Sequence, residues 1–130
     1  MESPVEDKNM NKIDGLCKEL LKPSMEQNLD IRDLLLIFEV GYTALISKVD
    51  GIVIVGNVPE GKLFRYVFEG SISSYWPLLA LAWLDERNEY IEPEVLEYIR
   101  HSLQQKWASQ DYKNKAKKLL KKWMIEPKLK

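Results

Sequence analysis

At 130 residues and 45% hydrophobic, with four tryptophans and a net charge of −1, the chain can bury the core of one domain but is short for two. Its one cysteine, Cys17, excludes an intramolecular disulfide, and its polar first residues exclude a signal peptide. No apolar run reaches the roughly 18 residues of a membrane-spanning helix. We therefore expect an intracellular, cytoplasmic protein that does not contact a membrane.

Two helices are predicted in the first third of the chain. Residues 1–12 are polar and aperiodic, and we interpret them as a disordered tail. Residues 13–21 repeat apolar side chains at the spacing of a helix with one apolar face, and a proline follows. Cys17 lies within that apolar stripe, so we expect a buried structural thiol rather than a reactive one. Residues 30–41 begin with a capping aspartate, continue with an apolar run and end at a glycine, which predicts a second helix.

The middle of the chain has the pattern of β-strands. Two β-rich runs, residues 42–49 and 52–55, flank Asp50-Gly51, a pair typical of a two-residue hairpin turn. After a second turn, residues 63–68 place an aromatic ring at every second position, as a third strand would. We therefore predict a three-stranded antiparallel meander.

Three more helices are predicted after the strands. They cover residues 74–84, 93–107 and 111–124, each with an apolar run or stripe and a serine, proline or acidic residue at its start. The predicted fold is therefore α+β. Residues 13–130 form a single helix-rich domain, in which a small three-stranded antiparallel meander separates two N-terminal from three C-terminal helices.

Residues 56–62 match the spacing G-x-x-x-x-G-K of a phosphate-binding loop. Three features argue against a nucleotide. Leu63 stands where a Ser or Thr hydroxyl would hold Mg²⁺, and Glu60 would add negative charge to the loop. The segment is also predicted to continue as a strand, where the anion would need the start of a helix. We interpret it as a turn and expect no cofactor.

Other candidates for catalysis or metal binding also lack partners. His101 is the only histidine and falls on the polar side of its predicted helix, without an identifiable nucleophile or orienting group. Six carboxylates lie within residues 85–97, and we expect them to face solvent or to favour a helix N-terminus rather than to hold a metal ion. The sequence therefore predicts no catalytic site, and we do not expect an enzyme.

Charge is separated along the chain. Residues 1–100 carry 10 Lys and Arg against 18 Asp and Glu, whereas residues 101–130 carry 9 lysines against two carboxylates. At about 100° per residue, the apolar side chains of the last predicted helix fall on one arc. Six lysines cover the remainder and are the predicted binding residues: Lys113, Lys115, Lys117, Lys118, Lys121 and Lys122.

This lysine-rich helix carries the functional hypothesis. Lysine is a hydrated point charge suited to phosphates, so we expect contact with a nucleic-acid backbone and little sequence preference. An acidic protein surface, an anionic membrane and a solubilising face without a partner are the competing interpretations. The sequence favours a non-catalytic accessory subunit that contacts nucleic acid or a partner protein through this helix. The alternative is an oligomerising structural protein, in which the acidic segment 85–97 of one copy pairs with the basic segment 113–122 of another.

Two segments resemble parts of known families. The helix pair formed by YWPLL (residues 75–79) and IEPEVL (residues 91–96) resembles helical primase-associated domains. This resemblance implies a place within a replication or other nucleic-acid-processing complex. Residues 44–55 resemble the first hairpin of roadblock-type dimerisation domains, from which the chain departs after Gly61.

Overall fold

The computed structural model of this chain describes residues 4–88 and 90–124, and these residues contain helices and no β-strand. The predicted three-stranded meander, and with it the α+β fold class, is wrong. The helices are α1 (Pro4–Leu20), α2 (Ile31–Leu34), α3 (Leu36–Val40), α4 (Tyr42–Ile46), α5 (Gly51–Gly56), α6 (Glu60–Gly70), α7 (Tyr75–Arg87), α8 (Pro93–Ser102) and α9 (Gln110–Met124), with a short 3-10 turn at Ser24–Glu26.

The helices belong to two compact units, and the boundary between them in the chain lies between Val58 and Pro59. The first unit holds α1 to α5, in which α3 packs against α2 and α4, and α4 packs against α5. The second unit holds α6 to α9; α6 packs against α7 and α8, and α9 packs against the same two helices. The assignment of residues 1–12 to a tail and of residues 13–130 to a single domain stays a prediction.

Helix α6 shows why the third strand is wrong. Four of its side chains are buried: Leu63, Phe64, Val67 and Phe68. Their spacing is that of one helical face, in which neighbours recur after four residues. A strand would instead bury Tyr66 together with the aromatic rings two positions away, but Tyr66 is 39% exposed. The four-residue spacing of Phe64 and Phe68 fits either a strand or a helix. The burial of Leu63 and Val67 beside them fits only the helix.

The Asp50-Gly51 pair starts a helix instead of turning a hairpin. Asp50 has a left-handed φ of 61°, and Gly51 is the first residue of α5. A Cβ on Gly51 would lie 2.3 Å from the Leu45 carbonyl oxygen and 2.7 Å from the Ile46 Cα. Glycine is needed here because α4 and α5 approach each other backbone to backbone. The resemblance of this segment to a roadblock-type hairpin is therefore overturned.

The helices predicted from apolar periodicity are present, with different ends. Helix α1 contains the predicted stripe, and Cys17 is buried within it, as predicted. Burial raises the pKa of the Cys17 thiol, which keeps it protonated. The predicted second helix is divided into α2 and α3 at Leu35, and α3 ends at Val40, directly before Gly41, whose φ is 95°. Within the residues that the structure describes, no helix combines the length and the apolar composition that crossing a membrane requires.

A buried polar cluster joins the first turn of α6 to α7. Glu60 accepts a hydrogen bond from Trp83 Nε1 at 2.7 Å and forms an ion pair with Arg87. The Arg87 side chain is only 9% exposed, and it also donates to the Tyr90 carbonyl oxygen at 2.9 Å. Because a charge buried to this extent needs a partner, Glu60 and Arg87 depend on each other.

Replacing Gly51 with Ala should destabilise the protein by about 1–3 kcal/mol, the cost of overpacking a close contact. The matched change at the other end of α5, Gly56→Ala, should leave stability unchanged or slightly raised, because no atom lies within 4 Å of the added Cβ. Chemical unfolding followed by circular dichroism measures both. Equal effects of the two substitutions would contradict the backbone contact between α4 and α5.

Candidate binding surface on helix α9

Two serines fix the start of α9. The Ser109 hydroxyl accepts a hydrogen bond from the Tyr112 backbone N–H at 3.1 Å, which is the arrangement of a helix N-cap. Ser74, at the start of α7, donates its hydroxyl to the Trp107 carbonyl oxygen at 2.7 Å and accepts from the Ser109 N–H at 3.1 Å. The loop that leads into α9 is therefore held against the start of α7.

Four members of the predicted apolar arc of α9 are buried: Tyr112, Ala116, Leu119 and Leu120. Trp123, also on that arc, is half-buried, and the side chain of Met124 lies outside the described part of the chain. The Tyr112 ring packs edge-on against Trp107, with ring centroids 5.0 Å apart. Its hydroxyl lies 2.5 Å from Ser102 Oγ, and Ser102 donates to the Ile99 carbonyl oxygen. Since Ser102 has one hydroxyl proton and gives it to Ile99, Tyr112 is the donor in its own hydrogen bond. Burial raises the pKa of the Tyr112 phenol far above its usual value.

The six predicted lysines lie on both sides of this arc, in two rows. One row, here the outer stripe, consists of residues four apart and about 6 Å apart along the helix axis: Lys113, Lys117 and Lys121. The other row, here the groove lysines, faces α7: Lys115, Lys118 and Lys122. Five of the six side chains are exposed, and Lys113 is half-buried.

Two of the groove lysines have polar partners. Lys115 forms an exposed ion pair with Asp111 at 3.3 Å. Lys122 donates to the side-chain oxygen of Asn88 at 2.8 Å, and its Nζ lies 5.6 Å from the centre of the Trp123 ring. Among residues 12–88 and 90–123, whose side chains the structure describes except at residue 24, no carboxylate lies within 4 Å of the other four lysines: Lys113, Lys117, Lys118 and Lys121. These four lysines thus form no ion pair with that part of the molecule.

A groove of about 520 Å³ runs between α7 and α9. Leucine side chains from both helices line it, namely Leu78, Leu81 and Leu119, together with the exposed Ala82. The groove lysines lie along its α9 side, and Asp85 lies on its α7 side. The sequence did not predict this groove. Helix α7 is apolar around most of its circumference, so its sequence does not indicate which of its apolar residues line a groove.

The acidic segment 85–97 is divided between elements. Asp85 lines the groove, beside the lysines of the same chain. On α8, Glu97 accepts from an Arg100 guanidinium nitrogen at 2.6 Å and lies 3.8 Å from His101 Nε2. His101 is exposed, as predicted, and Glu89 lies outside the described residues. No cluster of three or more metal-ligating side chains occurs in the described part of the chain.

One prediction for residues 56–62, which match the spacing of a phosphate-binding loop, is wrong. Residues 57–59 lead into α6, so a helix does begin where we predicted a strand, and that argument against a nucleotide is wrong. Glu60 and Leu63 remain unfavourable to a bound nucleotide. The Glu60 carboxylate occupies the first turn of α6, where it is held by Trp83 and Arg87, and Leu63 is buried. The first turn of α6 thus already has an anionic group.

Comparison of the chain with protein-family models, with curated proteins and with solved structures gives no significant match. The resemblance of residues 75–79 and 91–96 to primase-associated domains thus gains no support from these comparisons.

Replacing Tyr112 with Phe should remove part of the alkaline loss of stability. The pKa of this phenol is raised in the folded protein, so the unfolded chain loses its proton first. The free energy of unfolding should therefore fall by about 1.4 kcal/mol per pH unit above about pH 10 and show no contribution from this group below it. Urea unfolding at intervals from about pH 8 to about pH 11 measures the difference between the two proteins.

Tyr66→Phe is the matched control, because it removes the same hydroxyl from a ring that is 39% exposed. Tyr98, whose pKa is also raised, is present in all three proteins and cancels in the comparison. If the free energy of unfolding fell equally with pH in the parent and in Tyr112→Phe, the phenol would ionise as readily in the folded as in the unfolded protein. That result would contradict the prediction.

Proposed function

We propose that α9 is a contact surface for the phosphate backbone of nucleic acid, and that the chain is a non-catalytic accessory subunit. The observation that carries the proposal is the set of four lysines without a nearby carboxylate in the described residues. They lie on a helix whose opposite face is buried, so their backbone positions are fixed. Each lysine that neutralises a phosphate releases a condensed counterion, which favours binding at low salt.

The chemistry of the surface favours binding with little sequence preference. All of its basic residues are lysines, which bind phosphates as point charges, whereas reading a base edge usually requires a bidentate side chain such as arginine. We place this activity in the cytoplasm, within a replication or other nucleic-acid-processing complex. The single, buried cysteine is compatible with a reducing compartment.

The affinity for a generic duplex or single strand should fall linearly on a log–log plot against salt concentration. Four lysine–phosphate contacts predict a slope of about −3 to −4, at about 0.7–0.9 per contact. Fluorescence anisotropy with a labelled oligonucleotide of random sequence measures the slope. Absence of binding at about 50 mM salt, where non-specific contacts are strong, would reject the proposal.

Replacing the outer stripe with glutamines (Lys113→Gln, Lys117→Gln and Lys121→Gln) should reduce the magnitude of the slope by about 2–3, one contact for each residue. A control with the same change in net charge replaces three exposed lysines elsewhere: Lys12, Lys18 and Lys62. An equal loss in both triple variants would show that net charge alone is responsible.

The same samples test the alternative of an oligomer built from acidic and basic segments. Exposed charge pairs between copies are screened beyond about 8 Å at physiological ionic strength, so such an assembly should dissociate as salt is raised. Sedimentation velocity at low and high salt separates the cases, and a monomer under both conditions excludes the oligomer.

A further inference from the structure

The groove between α7 and α9 has two features that a phosphate backbone does not use. Its lining is aliphatic: Leu78 and Ala82 of α7 are accessible, whereas Leu81 of α7 and Leu119 of α9 are only 4% and 6% exposed. Among the described residues that line it, none is aromatic, so they offer no ring on which a nucleobase would stack. An occupant that gains from this lining must itself bring apolar side chains.

The positive charge along the groove lies on its α9 side and is regularly spaced. The groove lysines follow each other after three and four residues, so they are about 4.5 Å and about 6 Å apart along the α9 axis. They therefore spread positive charge over about 10 Å. A single small carboxylate would meet one of them, whereas carboxylates that recur once per turn on a helix lying along α9 would meet all three.

We propose that this groove binds an acidic amphipathic helix of a partner protein. Apolar side chains of the partner, repeated after three or four residues, enter the groove between α7 and α9. Carboxylates along one flank of the same helix pair with Lys115, Lys118 and Lys122. On the opposite flank the partner carries a neutral or basic residue near Asp85, since a carboxylate there would be repelled. This interaction shares Lys118 with the nucleic-acid contact, which relies mainly on the outer stripe.

Binding of a designed peptide to the full chain tests the inference. The probe is a labelled helical peptide of about four turns, with leucines on one face and glutamates along one flank. A scrambled peptide of identical composition has the same charge but no apolar face. We expect the patterned peptide to bind at least about ten-fold more tightly than the scrambled one in fluorescence anisotropy, a difference of about 1.4 kcal/mol.

Two variants of the chain separate the groove from the rest of the surface. Ala82 is exposed and lines the groove, so Ala82→Gln adds neutral bulk there and should weaken the patterned peptide about ten-fold or more. The outer-stripe variant should change the affinity for the patterned peptide by less than about two-fold, although the same variant weakens nucleic-acid binding. Circular dichroism confirms that both variants keep their helical content.

Three outcomes would overturn the groove assignment. Equal affinity for the patterned and the scrambled peptide would show that charge alone attracts it. Full affinity in Ala82→Gln would place the peptide elsewhere. Equal loss in the outer-stripe variant and in a variant of the groove lysines (Lys115→Gln, Lys118→Gln and Lys122→Gln), with displacement of the peptide by duplex DNA, would reveal one general polyanion surface. Since nucleic-acid binding is measured separately, either proposal can fail while the other stands.

Discussion

The hydrogen-bond chain from Tyr112 through Ser102 to the Ile99 carbonyl is the constraint on which the α9 surface depends. The rotation of α9 about its axis is set by its buried face, and the most buried ring of that face is fixed both by packing and by a polar contact. Every other side chain follows at about 100° per residue. With Tyr112 in this position, the groove lysines face α7 and the outer stripe faces away from it.

The separation of the two rows allows one helix to have two kinds of contact. The outer stripe offers charge alone, as suits a ligand that is charged and uniform along its length. The groove lysines adjoin leucines, as suits a ligand that is apolar on one side and acidic on the other. A lysine-rich sequence by itself does not distinguish these contacts, because the distinction depends on which neighbour each lysine faces.

The sequence predicted α9, its buried arc and its six lysines because a 3.6-residue period repeated over four turns has one interpretation. It failed between residues 42 and 68 for two physical reasons. Helices α4 and α5 have 5 and 6 residues, too few to show a helical period, and their β-branched residues favour strands. In α6 the aromatic rings at positions 64 and 68 fit either period. The groove was missed because it depends on tertiary packing of α7, whose composition marks no single face.

The buried polar cluster of Glu60, Trp83 and Arg87 ties the start of the second unit to α7. Glu60 is the second residue after the boundary between the units, and its partners Trp83 and Arg87 belong to the same unit. The chain is thus secured to α7 almost as soon as it enters this unit. The entire candidate surface lies beyond that point in the sequence. One contiguous stretch of the chain therefore encodes both the surface and the buried charge pair that holds its helices together.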